Sequence, residues 1–132
     1  MAIRAIIPEE ARASAEQLKL SPAILSGNHV FLSGVTGSDA RGGMAEDPEA
    51  QFRNAFDKIG GVLGKAGLTF AAVVEMTNHH VGLPDHFDVF NKVRLDYVKA
   101  PYPAGPPSEV AGLRRDGALV EIRVIAAFDP GN

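Results

Sequence analysis

The stretch that most constrains this chain is Gly117–Phe128, GALVEIRVIAAF. β-Branched and apolar residues dominate it, and the turn signal Asp116-Gly117 precedes it, which is the composition of a β-strand. Side chains on a strand alternate between faces. Val120, Ile122, Val124, Ala126 and Phe128 form one wholly apolar face, expected on the core. Leu119, Glu121, Arg123, Ile125 and Ala127 form the other. Opposite charges two residues apart inside an apolar run are solvated, paired or used. Either Glu121 and Arg123 are a neighbour ion pair on a wet face, or Glu121 is a site carboxylate in a cleft floored by this strand.

The length of 132 residues fits one domain spanning 1–132, and 45% apolar residues suffice for a real core. The net charge is −3 and the pI about 5.8, which gives no electrostatic case for nucleic acid or an anionic membrane as partner. Cysteine is absent, so disulfides, thiolate chemistry and Cys–zinc sites are excluded. A disulfide-free small domain fits the cytoplasm. The N-terminal MAIRAIIPEEA lacks the apolar core of a signal peptide, and no run reaches the roughly 18 apolar residues of a membrane span.

Ile3–Ile7 reads as a short strand ended by Pro8, and Glu9–Glu16 as a loop or helical turn. Leu18–Leu25 and His29–Val35 are β-like runs, joined as a hairpin through Ser26-Gly27-Asn28. Ser33-Gly34 ends the second run, where a glycine permits close backbone approach by another segment or a ligand, or merely turns the chain. Asp47-Pro48-Glu49 is a strong helix start. Phe52, Phe56, Ile59, Leu63 and Ala66 then recur at spacings of three and four, up to Gly67 as the C-terminal cap. Gly60, Gly61 and Gly64 weaken that helix and predict something packed close to it. Val73–Val81 is the next strand, making a parallel strand–helix–strand unit. Pro84-Asp85 opens a second helix with a stripe of Phe87, Phe90, Val93 and Tyr97. Ser108–Leu113 is expected to pair with the strand from Ala118 as a closing hairpin. The fold class is therefore α+β: a two-layer domain with two helices on one face of a mixed sheet. The other face, with Leu119 and Ile125, stays uncovered in one chain and predicts an oligomer.

His79 and His80 are adjacent on a strand, so their imidazoles face opposite ways and cannot chelate one ion. One is expected to line a polar pocket or interface, the other to be packed or exposed, and no metal site is predicted. His29 and His86 read as surface residues. Ser33 has no His or Asp at a triad spacing, and the glycines do not make a phosphate loop.

Several motifs in combination are more specific than any one. Ser33-Gly34 ends a strand, Glu49-Ala50-Gln51 opens a helix and Ala66-Gly67 closes it. Phe90-Asn91 lies in the second helix and Gly117–Ile122 in the last strand. Over about residues 18–128 this resembles the RidA family of reactive-intermediate deaminases, also called the YjgF or L-PSP endoribonuclease-like family. The resemblance implies a chorismate-mutase-like fold, a homotrimer with clefts between subunits, and hydrolysis of enamines and imines without a metal or organic cofactor. By position, Ser33 and Gly34 would line the cleft, Asn91 would offer an amide from the neighbouring subunit, and Glu121 would hold the attacking water.

One departure stands out. Deaminating members carry an arginine after the Pro-Ala of this segment, where it forks onto the substrate carboxylate. Here the chain reads Pro103-Ala104-Gly105. Three consequences follow as alternatives: a substrate without that carboxylate, compensation by Arg123 or an arginine of a neighbouring chain, or a small-molecule-binding relative without deaminase activity. Gly105 and its flanking prolines are expected to enlarge the pocket. An endoribonuclease, as one family label has it, sits poorly with an acidic chain.

Overall fold

The computed structural model describes residues 3–128. The strand predicted at the C-terminus is β7 in chain order, Val120–Ala127, and it lies inside the sheet. Strands β1 (Arg4–Ile6), β2 (Ala23–Ser26) and β3 (His29–Leu32) form an antiparallel meander on one side of it. A two-residue strand, β4 (Val35–Thr36), pairs with β7 further along. On the other side lies β5 (Val73–His80), antiparallel to β7, and then β6 (Pro107–Glu109), parallel to β5. The sheet order is β1-β2-β3-β7-β5-β6.

This order corrects the predicted closing hairpin. Residues 107–109 cross over to the outer edge of β5 and leave β7 to pair with β3, β4 and β5. The crossover is the helix α3 (Leu83–Tyr97), so β5–α3–β6 is a second parallel unit beside the one built on α2 (Pro48–Lys65). Two further expectations change. The run Leu18–Leu25 yields a strand only from Ala23. Residues 9–18 form a 3-10 turn and a short helix, α1 (Arg12–Leu18), with no buried residue. None of the helices among the described residues is long and apolar enough to cross a membrane.

The helix α2 starts as its sequence dictates. Asp47 accepts a hydrogen bond from the Ala50 amide at 3.0 Å, and Pro48 occupies the first turn. Its stripe Phe52, Phe56, Ile59 and Leu63 is fully buried, each side chain contributing about 1.5–3 kcal/mol by leaving water. From α3 come Phe90 and Val93, and from β7 Val120, Ile122, Val124 and Ala126. Phe90 meets Phe52 edge to face at 5.3 Å. Phe87 departs from the predicted stripe and stays 37% exposed at the rim of α3. Of the three helix glycines only Gly60 is closely approached: a Cβ there would lie 3.4 Å from the Phe70 ring.

Candidate functional site

The open face of the sheet carries the site residues of β7. Cross-strand register sets Thr36, Glu121, His79 and Ser108 side by side on β4, β7, β5 and β6. Register partners share a face, so this is one polar row across four strands. Arg123 is the next residue of β7 on that face, exposed and opposite Thr77. Among the described residues the Glu121 side chain makes no ion pair and no hydrogen bond. The ion pair with Arg123 that spacing allowed is not formed.

Gly34 explains how Glu121 is seated. Ser33 and Gly34 step out of the ladder between β3 and β4, and the backbone of Gly34 rests against the carboxylate. A Cβ on Gly34 would lie 2.7 Å from the Cδ of Glu121 and 2.9 Å from its Oε1. Only glycine leaves that space, so the close-approach reading of Gly34 holds, with Glu121 as the approaching group. Ser33 faces different demands. Its amide donates to the Pro22 carbonyl at 2.9 Å and its hydroxyl to the Ser21 carbonyl at 2.7 Å, which ties the strand end to the loop before β2.

Gln51 anchors the start of β7, a role that sequence reading missed. It is buried, donates from Nε2 to the carbonyls of Ala45 and Gly117 at 2.8 Å each, and accepts at Oε1 from the Leu119 amide at 2.9 Å. Two of these bonds, to Gly117 and Leu119, position the chain just before Glu121, and the third ties in the loop before α2. The available signal was a polar residue beside the apolar stripe of α2.

The two histidines divide between the faces. His79 stands beside Glu121, half-buried, with its Nδ1 buried and unpartnered. His80 is fully buried against Phe90, centroids 4.5 Å apart, and its Nε2–H donates to Asn78 Oδ1 at 2.9 Å. Burial pushes the His80 imidazole down to about 4, and the nearby His79 and His86 add to the effect. His29 is exposed as expected, and His86 half-buried.

Asn91 and Gly105 lie elsewhere. They share a groove of about 140 Å3 between α3 and the segment before β6, on the helix side of β5, together with Arg94. Asn91 Oδ1 accepts from Arg94 Nε at 3.1 Å and from Nη2 at 2.7 Å. Gly105 has φ +123°, and a Cβ on it would lie 2.2 Å from the Met76 carbonyl oxygen. An arginine at this position is therefore barred by the backbone, which the sequence did not reveal. The single chain thus brings Gly34, Glu121 and Arg123 onto one face and places Asn91 and Gly105 on the other.

The family model described as Endoribonuclease L-PSP matches residues 10–128. The curated RutC family protein YjgH of Escherichia coli (strain K12) is 32% identical over 123 residues, covering 92% of each chain. A Yersinia pestis structure described as a protein of unknown function of the conserved Rid family, YyfA, superposes with a TM-score of 0.85 at 31% identity, covering 96% of this chain and 99% of that one. The RidA structure from the Antarctic bacterium Psychrobacter gives 0.77 at 32% identity, covering 82% and 87%. The fold and these matches agree: the chain belongs to the YjgF/RidA family, the family of the Endoribonuclease L-PSP model.

Proposed function

We propose that the chain is an enamine/imine hydrolase acting on a small reactive metabolite, with the attacking water positioned by Glu121. The observation that carries this reading is the seat of Glu121: a carboxylate on the open sheet face, backed by Gly34 and free of protein partners among the described residues. Its oxygens are then free to accept from water. An enamine first takes a proton from solvent at carbon to become the iminium ion, the protonated imine. Water held by Glu121 attacks the C=N carbon and gives its proton to the carboxylate. The carboxylic acid returns that proton to nitrogen; the C–N bond then breaks as the new hydroxyl gives its own proton to the Glu121 carboxylate, leaving the carbonyl and free ammonia, and the carboxylic acid loses that proton to solvent.

The same reading makes the assembly a homotrimer with clefts between neighbours. Asn91 and Gly105 cannot reach Glu121 from their own helix side, whereas a neighbouring chain can present them. Ser33, Gly34 and Arg123 line the cleft from the Glu121 side. The open face supports association, since Phe31 remains 45% exposed there beside Ile125. A small-molecule-binding module without catalysis is the second reading, favoured by Gly105 in the place of the family's arginine. An endoribonuclease is disfavoured by the net charge of −3.

The test is release of carbonyl product and ammonia from a panel of imines generated in situ, with light scattering on the same sample. Turnover of at least one imine and a mass of about three chains are the expected results. A monomer inert against the whole panel sinks the proposal, and an inert trimer that binds a metabolite points to the module.

A further inference from the structure

The loop between β4 and α2 holds a lysine in unusual surroundings. Lys19, Lys65, Lys92 and Lys99 are exposed, whereas Lys58 of α2 is half-buried against residues 37–43. Its Nζ donates to Ser38 Oγ at 2.8 Å, and Ser38 is itself buried. Among the described residues no carboxylate pairs with Lys58. Asp39 follows Ser38, but its Oδ1 accepts from the Arg41 and Gly43 amides of its own loop, at 2.9 and 3.0 Å. The other charge brought to this loop is a second cation. Arg115, half-buried, comes from the turn before β7 and donates from Nη2 to the Gly42 carbonyl at 2.8 Å. Burial, aided by Arg115 and opposed by Asp39, pulls the Lys58 amine down to about 8. The neutral amine is therefore populated near neutral pH, where that of an exposed lysine is scarce.

A desolvated neutral lysine is a nucleophile. Its half-buried position favours a small electrophile, and Arg115 favours a product with negative charge. Carbon dioxide meets both conditions. We propose that Lys58 is a carbon dioxide site, where the amine becomes an N-carboxylate, a carbamate, held by Arg115 and the Ser38 hydroxyl. The Nζ lone pair attacks the carbon of CO2. The C–N bond forms as one C=O electron pair moves onto oxygen, and the nitrogen releases one proton to solvent. A cation that repels Arg115 is thereby exchanged for an anion that attracts it. No residue of the Glu121 cleft takes part, so the inference does not rest on the hydrolase reading.

The experiment equilibrates full-length protein with carbon-13-labelled CO2 and bicarbonate at neutral pH. Carbamates are trapped as ethyl esters with triethyloxonium and mapped by peptide mass spectrometry. A free dipeptide in the same tube supplies an α-amine as positive control. Lys58 should carry the label and the four exposed lysines should not. Two charge variants should act in opposite directions. Arg115→Gln keeps a donor for the Gly42 carbonyl but removes the cation, which raises the proton affinity of the amine and leaves the carbamate unanswered. The trapped fraction should fall several-fold. Asp39→Asn keeps an oxygen for the loop amides and removes an anion that repels the carbamate, so the fraction should rise. An unlabelled Lys58 beside a labelled dipeptide overturns the proposal, and so does equal labelling of all the lysines. The same holds if both variants trap as much as wild type. The pattern among the lysines is read on wild-type protein and stands even where a variant fails to fold.

Discussion

His79 and His80 are neighbours in sequence and opposites in circumstance. His80 points into the helix layer, loses all contact with water and is held neutral by burial. His79 points to the open face, beside a carboxylate that has no protein partner among the described residues. The two faces of β5 and β7 thus do different work. The helix-covered face is packed by aromatic rings and binds the layers together. The open face keeps polar groups at hand without neutralising them. A residue type therefore says little about chemistry until its face is known.

The comparison breaks most visibly at Glu121. Glu121→Ala is expected to lower imine hydrolysis by roughly 10²–10⁴, the usual worth of one general base. Thermal stability should hardly move, because the carboxylate makes no bond that folding relies on. Carbonyl-product assays and thermal melts on one preparation check both halves. A fully active variant would leave the open face without its proposed base.

The covered face is sharpened by acid. His80 has a folded pKa of about 4 against an ordinary 6.5, so the unfolded chain takes up a proton that the folded chain refuses. Stability should be complete above pH 6.5 and fall as pH drops toward 4, by about 3 kcal/mol in all. Denaturant titrations across that window check the slope, with His80→Gln and His79→Gln as controls. The slope should flatten in the first and persist in the second. The reverse outcome would mean that the faces have been assigned wrongly.

Much of this division was legible in the chain. Period-two alternation in residues 119–128 separated the core face of β7 from the open one, and Asp47-Pro48 marked the start of α2. The motifs of the family were readable because they sit in local runs. The partner of β6 was not legible. Three residues beginning with a proline carry no record of which strand they join, and the crossover of α3 decides it. The helix α1 buries nothing, so it lacks the stripe by which α2 and α3 announce themselves. The row Thr36–Glu121–His79–Ser108 depends on register between strands far apart in sequence, which composition does not encode.

Gly105 separates the faces through its backbone. Alanine there would need φ +123° and would press its Cβ against the Met76 carbonyl oxygen, a backbone atom of β5 that only a shift of the strand or of the segment can relieve. Gly105→Ala should cost roughly 2 kcal/mol of stability through strain at that φ and displacement of the segment from β5. A denaturation midpoint equal to that of wild type would show that residues 103–107 shift at no cost, and would reopen the position to an arginine.

Gly34→Ala is the matching change on the open face, and the smallest in effect. Its Cβ would meet the end of the Glu121 side chain, 2.7 Å from Cδ, where a rotamer adjustment relieves the contact. The backbone is not asked to move, and losing a glycine restricts the unfolded chain by about 0.4–1 kcal/mol in favour of folding. Stability should therefore stay within about 1 kcal/mol of wild type, while displacement of the carboxylate lowers kcat/KM by roughly tenfold. A double-mutant cycle isolates the contact. In a Glu121→Ala background nothing opposes the new methyl, so Gly34→Ala should there raise stability by more than it does in wild type. Equal effects in the two backgrounds would mean that Gly34 does not seat Glu121, and the open face would lose the feature that sets its carboxylate apart.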